Sequence, residues 1–134
     1  MDSIQLLTKK SASCADLLSC LYNLKPTDLE VLLEVTRNEN ATLDEIAKLV
    51  QRDRSSVHRC LSKLVSANLV TKQTKTLKNG GYYHAYSMVE LATIKRHAKE
   101  RVKEITESLE ALINNFESDL KKHLESNNEK MRQE

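Results

Sequence analysis

The chain has 134 residues, 40% of them hydrophobic and 30% charged, with a formal net charge of +2. That length fits one domain with an appended helix, and the hydrophobic share is enough for a core under a charged surface. Two glycines, one proline, one phenylalanine (Phe116) and four tyrosines predict a mainly helical fold with few turns, and no apolar run nears the roughly 18 residues of a membrane-spanning helix.

Residues 1–24 are read as an N-terminal helix with apolar positions at Ile4, Leu7, Leu17, Leu18, Leu21 and Leu24, open to a break near Ser11–Ser13. The start, MDSIQLLTKK, lacks a basic end followed by a long apolar stretch, so it is not a secretory signal and the expected location is the cytoplasm. Cys14, Cys20 and Cys60 are odd in number and lack CxxC spacing, so they read as reduced thiols, with no metal or cofactor expected. Cys14 and Cys20 fall on different faces of a helix, which makes a sensing pair a secondary reading.

Lys25-Pro26 stops this segment, because the residue before proline is pushed away from helical geometry. Thr27-Asp28-Leu29-Glu30 has the form of a capping box, opening a helix with Leu29, Leu32, Leu33 and either Val35 or Thr36 inward. A polar turn over Arg37–Asn40 ends it, and Thr42-Leu43-Asp44-Glu45 is a second capping box. The short helix that follows carries Ile46, Ala47, Leu49 and Val50 on one side. Asp53 can cap the next helix, Arg54 to Ala67, which buries Val57, Cys60, Leu61, Leu64 and Val65 and keeps a polar, basic outer face. Two short helices joined by a tight turn form a helix-turn-helix.

After Asn68 the period falls from about 3.6 to about 2. Leu69–Lys75 and Tyr82–Met88 read as antiparallel strands around Lys78-Asn79-Gly80-Gly81, with Asn-Gly as the hairpin signal, so they form a wing. The charge is unevenly distributed: −3 over residues 1–51, +6 over 52–88 and −1 over 89–134. A confined basic block is the footprint of a polyanion-binding face.

Val89 to Glu125 is predicted to be one long helix with apolar positions 91, 94, 98, 102, 105, 109, 112, 116, 120 and 124. Their mean step of about 3.67 residues predicts a nearly straight rod, roughly 55 Å long. A small domain cannot cover such a stripe, so a homodimer is expected, with Ile94, Ala98, Val102, Ile105, Leu109, Leu112, Phe116 and Leu120 at its interface. Residues 126–134 are expected to fray. The expected organisation is therefore 1–24 (dimer or core packing), 25–88 (winged helix-turn-helix), 89–125 (dimerisation helix) and 126–134 (tail).

The run Arg54-Ser55-Ser56-Val57-His58-Arg59-Cys60-Leu61-Ser62-Lys63-Leu64, followed by Asn68-Leu69-Val70, resembles the S-x-V-x-R-x-L-x-x-L…L-V pattern of winged helix-turn-helix regulators, above all the TrmB-like and MarR-like groups. The likeness spans about residues 25–90 and implies transcriptional regulation through double-stranded DNA. It implies a recognition helix in the major groove, a wing near the minor groove and terminal helices that make the dimer. Asn68 stands where these families commonly have Gly, and Asn tolerates positive φ. Lys78 stands at the wing tip where Arg is common. Full-length TrmB-type proteins also carry a sugar-binding domain, and no effector is carried over to this chain.

The expected DNA contacts are Arg52, Arg54, Ser55, Ser56, His58, Arg59, Ser62, Lys63, Lys72, Lys75 and Lys78. Arg59 is the expected base reader, since its planar fork matches guanine O6/N7. Ser55 and Ser56 stand at the helix N-terminus, where the dipole favours an anion. Tyr86 is assigned to the core, while Tyr82 and Tyr83 are left between core and DNA. His84 and His97 lack a carboxylate or thiol at ligand spacing. There is no phosphate-cradling glycine loop or G-x-S-x-G, and Ser55/Ser56 near His58 would have no oxyanion hole, so no enzyme is expected. Two alternatives remain at this level: a protein-interaction module of the transcription machinery, and a thiol- or ligand-gated sensor.

Overall fold

The computed structural model describes the backbone of residues 3–132 and the side-chain exposure of residues 4–128. The chain divides into two units, Met1–Ala98 and Lys99–Glu134. The helices are α1 (Ser3–Thr8), α2 (Cys14–Tyr22), α3 (Pro26–Arg37), α4 (Leu43–Val50), α5 (Arg54–Ser66), α6 (Leu91–Asn114) and α7 (Phe116–Arg132), with strands β1 (Val70–Thr76) and β2 (Tyr82–Met88) between α5 and α6. The mainly helical fold with one antiparallel hairpin and a helix-turn-helix before it matches the sequence pattern.

The N-terminal helix is broken where small polar residues weaken it, and Ser13 starts the second piece. Its amide donates to Asp16 Oδ2 at 2.9 Å, and its hydroxyl caps the Asp16 amide. The expected Thr27 box is not the start of α3. Lys25 is the N-cap, Pro26 takes the first helical position, and Asp28 accepts the Lys25 amide at 2.8 Å. Proline explains the shift: its fixed φ and missing N–H suit the first helical position, which moves the cap two residues back. The inward side of α3 is Asp28, Val31, Leu32 and Val35, with Leu29 partly buried against the core, while Leu33 is 52% exposed. On α4, Ile46 and Ala47 are buried, but Leu49 points outward and is half exposed.

The other two caps lie where the sequence put them. The Thr42 hydroxyl accepts from the Glu45 amide at 3.2 Å, and Asp53 accepts from the Ser56 amide at 3.0 Å. Gln51 and Asn68 take left-handed φ values of 56° and 60°, closing the turns after α4 and α5. Val57, Cys60, Leu61 and Leu64 are the buried face of α5. They join Val31, Val35, Ile46, Leu69, Val70, Tyr86 and Ile94 in one core.

β1 and β2 pair from Val70↔Met88 to Thr76↔Tyr82. The turn between them is longer than a two-residue Asn-Gly turn: the Leu77 amide donates to the Gly81 carbonyl at 3.1 Å, and the left-handed residues are Gly80 and Gly81, not Asn79. The segment between α3 and α4 adds one isolated bridge to β2, with the Tyr86 amide donating to the Ala41 carbonyl at 2.8 Å.

Two further expectations need correction. Ile94 and Ala98, assigned to a dimer interface, are buried in the first unit, Ile94 at 7% exposure and within the core. A residue already covered by its own chain has no apolar surface left for a partner. The long rod is also interrupted at Asn115, dividing α6 from α7, where the Asn114-Asn115 pair combines two weak helix formers. Helix α7 extends into the stretch from residue 126 that was expected to fray, reaching Arg132. Every described residue of the second unit is exposed.

Leu61 is 0% exposed. Leu61→Ala should therefore destabilise the protein by about 2–5 kcal/mol, and Leu33→Ala by less than about 1 kcal/mol, in urea unfolding. Equal losses would mean that the inward stripe of α3 has been misassigned.

Candidate nucleic-acid interface

With its apolar side in the core, α5 leaves Arg54, Ser55, His58, Arg59 and Ser62 exposed. Ser55, Arg59 and Ser62 lie on the side away from Val57, Leu61 and Leu64, with His58 at its border, while Arg54, seven residues before Leu61, is the first residue of the helix. Ser56 is different: it is half-buried, and its hydroxyl donates to Asp53 Oδ1 at 2.7 Å. That hydroxyl also accepts from the Arg59 guanidinium at 3.4 Å, so Asp53, Ser56 and Arg59 form a chain along one edge of α5. The Ser56 hydroxyl and amide together hold the Asp53 carboxyl below its usual range. A carboxylate already occupies the positive end of α5, which weakens the case for a second anion there and shifts weight to Arg59.

Two arginines expected to meet phosphate are held by exposed carboxylates. Arg54 Nε lies 2.8 Å from Asp44, and Arg52 Nε 3.3 Å from Glu30. Exposed pairs of this kind contribute only about 0–1 kcal/mol, so either arginine can leave its partner for a phosphate at little cost.

Lys63 is a different case. Its Nζ donates to the Asn23 carbonyl at 2.6 Å and to Asp28 Oδ2 at 2.9 Å. Asp28 is 5% exposed and also accepts the Lys25 amide. Burial pushes the Asp28 carboxyl up, but the Lys25 amide, the Lys63 ammonium and the Cys60 thiol outweigh it, and the carboxyl sits below its usual range. Lys63 thus differs from the other expected contacts: its ammonium is engaged with a buried carboxylate, and removing it would leave that charge uncompensated.

The hairpin register divides the wing. Lys72, Thr74 and Thr76 lie opposite Tyr86, His84 and Tyr82, whereas Lys75 lies opposite Tyr83 on the other face. Lys72 lines a groove of about 390 Å³ between the start of α4, α5 and the wing, with Arg54, His58, Tyr82 and His84. The Tyr82 and His84 rings meet edge to face at 5.7 Å, and His84 Nδ1 is 3.3 Å from the Thr74 hydroxyl. Lys78 is exposed in the turn, and Lys75 is half-buried. Tyr86 is buried, which raises its phenol. Sequence reasoning missed Thr42 and Asp44 as walls of this groove, and it left Tyr82 unassigned. The period-2 spacing of Tyr82, His84 and Tyr86 was the available signal for one shared face.

Cys60 is buried, with its thiol pushed up to about 11 by burial first and then by the Asp28 carboxylate that accepts its hydrogen bond. A thiol in that state is a poor nucleophile near neutral pH.

Comparison with known proteins agrees with this geometry. Residues 18–92 match the family model described as "Sugar-specific transcriptional regulator TrmB". An uncharacterized protein of Methanocaldococcus jannaschii is 29% identical over 112 residues, which is 82% of this chain and 85% of that protein. Among solved structures, a possible transcriptional regulator from Methanosarcina mazei Go1 superposes with a TM-score of 0.69 at 21% identity, covering 81% of this chain and 95% of that one. A protein of the thermoacidophilic archaeon Sulfolobus tokodaii gives a TM-score of 0.58 at 23% identity, over 78% of this chain and 98% of the other. At these identities the structural likenesses speak for the fold.

Iodoacetamide at pH 8 should modify exposed Cys14 while sparing Cys60 until the protein unfolds. Mass spectrometry showing Cys60 alkylated at the rate of Cys14 in the folded protein would contradict the burial described here.

Proposed function

The chain belongs to the TrmB family of transcriptional regulators, and on that footing we propose that it acts as a homodimer on a pseudo-palindromic site in double-stranded DNA. The observation that carries the reading is the face of α5: Ser55, His58, Arg59 and Ser62 are exposed together, beside a wing that sets Lys72 across the groove from His58. Arg59 reads base edges, with its guanidinium steadied by Ser56. Ser55, His58 and Ser62 contact base edges or phosphate beside it. Arg52, Arg54, Lys72, Lys75 and Lys78 supply phosphate contacts, which set position and affinity without reading sequence.

The second unit supports the dimer. Val102, Ile105, Leu109 and Leu112 recur at helical spacing on α6, as do Phe116, Leu120 and Leu124 on α7, and all are exposed large hydrophobics. A unit with no buried residue among those described has no core of its own, and a second copy of the same stripe is the simplest cover. Two-fold symmetry in the protein then implies a two-fold repeat in the DNA.

The test is fluorescence anisotropy on duplexes that the wild-type protein enriches from a random DNA library. If each half-site neutralises roughly four phosphates, log affinity should fall with log salt at a slope near −7. Arg59→Ala should weaken binding by about tenfold or more. Asp44→Asn should strengthen it, because Arg54 loses a competing partner. Binding by Arg59→Ala equal to wild type, with no salt dependence, would overturn the proposal. Light scattering should give a dimer that Leu109→Glu combined with Phe116→Glu converts to monomer; a monomeric wild type would remove the dimer.

A further inference from the structure

Lys63 stands one turn after Arg59 on α5, where sequence alone assigns it to DNA; it lines the same open pocket as Ser56, Arg59 and Cys60, with its ammonium directed to the end of α2 and the start of α3. There it joins three elements. The Asn23 carbonyl, 2.6 Å from Nζ, belongs to the left-handed cap of α2, and Asp28, 2.9 Å away, stands in the first turn of α3. Asp28 is held in turn by the Lys25 amide and by the thiol of Cys60, one turn before Lys63 on α5. A buried carboxylate with donors from α3 and α5, and a lysine that continues to the end of α2, fix the position of α5 in a way that apolar contacts do not. Hydrophobic packing is non-directional, whereas these bonds lose strength when distance or angle changes. A slight shift of α5 would strain the Lys63–Asp28–Asn23 link before it exposed Val57, Leu61 or Leu64 to water.

We infer that Lys63 is a positioning residue for DNA reading: by tying α5 to Asp28 and to the Asn23 cap of α2, it sets the orientation in which Arg59 is presented, without touching DNA. The inference rests on the DNA-binding role of α5 proposed above.

The experiment compares wild type, Lys63→Met, Lys63→Gln, Asp28→Asn and the Lys63→Met/Asp28→Asn double variant. Each is tested on an enriched duplex and on an unrelated duplex of equal length, at a temperature where circular dichroism shows it folded. A positioning role predicts that Lys63→Met lowers the ratio of enriched to unrelated affinity by about tenfold or more, with the salt slope unchanged. It predicts that the double variant is no worse than the single ones, because both changes break one link. Lys63→Gln is shorter and neutral but can still donate to either acceptor, so it should fall between wild type and Lys63→Met and serves as the informative variant if Lys63→Met fails to fold.

Two results would overturn the inference. Equal loss on both duplexes, with a slope shallower by about one, would make Lys63 a phosphate contact. A lowered melting temperature with the affinity ratio unchanged, for Lys63→Met or Lys63→Gln, would make the link a matter of stability alone. Arg59→Ala, measured alongside, separates the two levels. If it lowers the ratio and the Lys63 variants do not, only the positioning role falls; if no variant on α5 changes binding, the DNA reading falls and takes the positioning role with it.

Discussion

The structure depends on the burial of one side of α5. Val57, Leu61 and Leu64 are at 0% exposure, and their period fixes which residues remain for the surface. Each such side chain contributes roughly 1.5–3 kcal/mol when fully buried, more than any surface ion pair around it. The chemistry of the outer face is therefore subordinate to the packing of the inner one. Arg59 is presented because Leu61 and Val57 are not, and α3, α4 and the hairpin matter to the interface mainly as the surfaces against which those leucines and valines close.

On top of that packing, carboxylates sort the cations into two kinds by how well each is hidden. Asp44 and Glu30 are exposed and hold Arg54 and Arg52 weakly. Asp28 is buried and holds Lys63 strongly, because the alternative is an unpaired charge away from water. The same chemical pair, a cation beside a carboxylate, thus leaves an arginine available in one place and removes a lysine in another. Asp53 adds a third variation: it caps α5 and, through Ser56, steadies the Arg59 guanidinium.

Much of the winged helix-turn-helix was legible in sequence because its signals are local. Thr42 and Asp53 cap where their side chains reach an amide three residues on, Asn68 accepts a left-handed turn, and the period change at Leu69 marks the hairpin. What escaped depends on tertiary placement. Helical spacing puts Lys63 near the edge of the polar face, but only the distant Asn23 and Asp28 decide which way a flexible four-carbon side chain turns. Thr27 has the letters of a cap, and proline at the first helical position overrides it. Ile94 continues the apolar pattern of the long helix, so periodicity alone could not show that its partner is the core of its own chain.

Reassigning Ile94 and Ala98 also changes what the proposed dimer has to do. The interface now starts no earlier than Val102 and is carried by two helices that meet at Asn115, not by one straight stripe. A strict 3.67-residue period over a single rod would have argued for a continuous, nearly unsupercoiled pairing. The break at Asn115 is local, since the Asn115 amide still donates to the Ala111 carbonyl and the Asp119 amide to the Asn115 carbonyl. The energetic argument for pairing survives the change, since it rests on exposed area and not on straightness. Most of the stability of a helix in a protein comes from covering an apolar face. Under the proposed reading, the association that holds α6 and α7 together also doubles the number of phosphate contacts, so folding of the second unit and affinity for DNA draw on the same buried stripe.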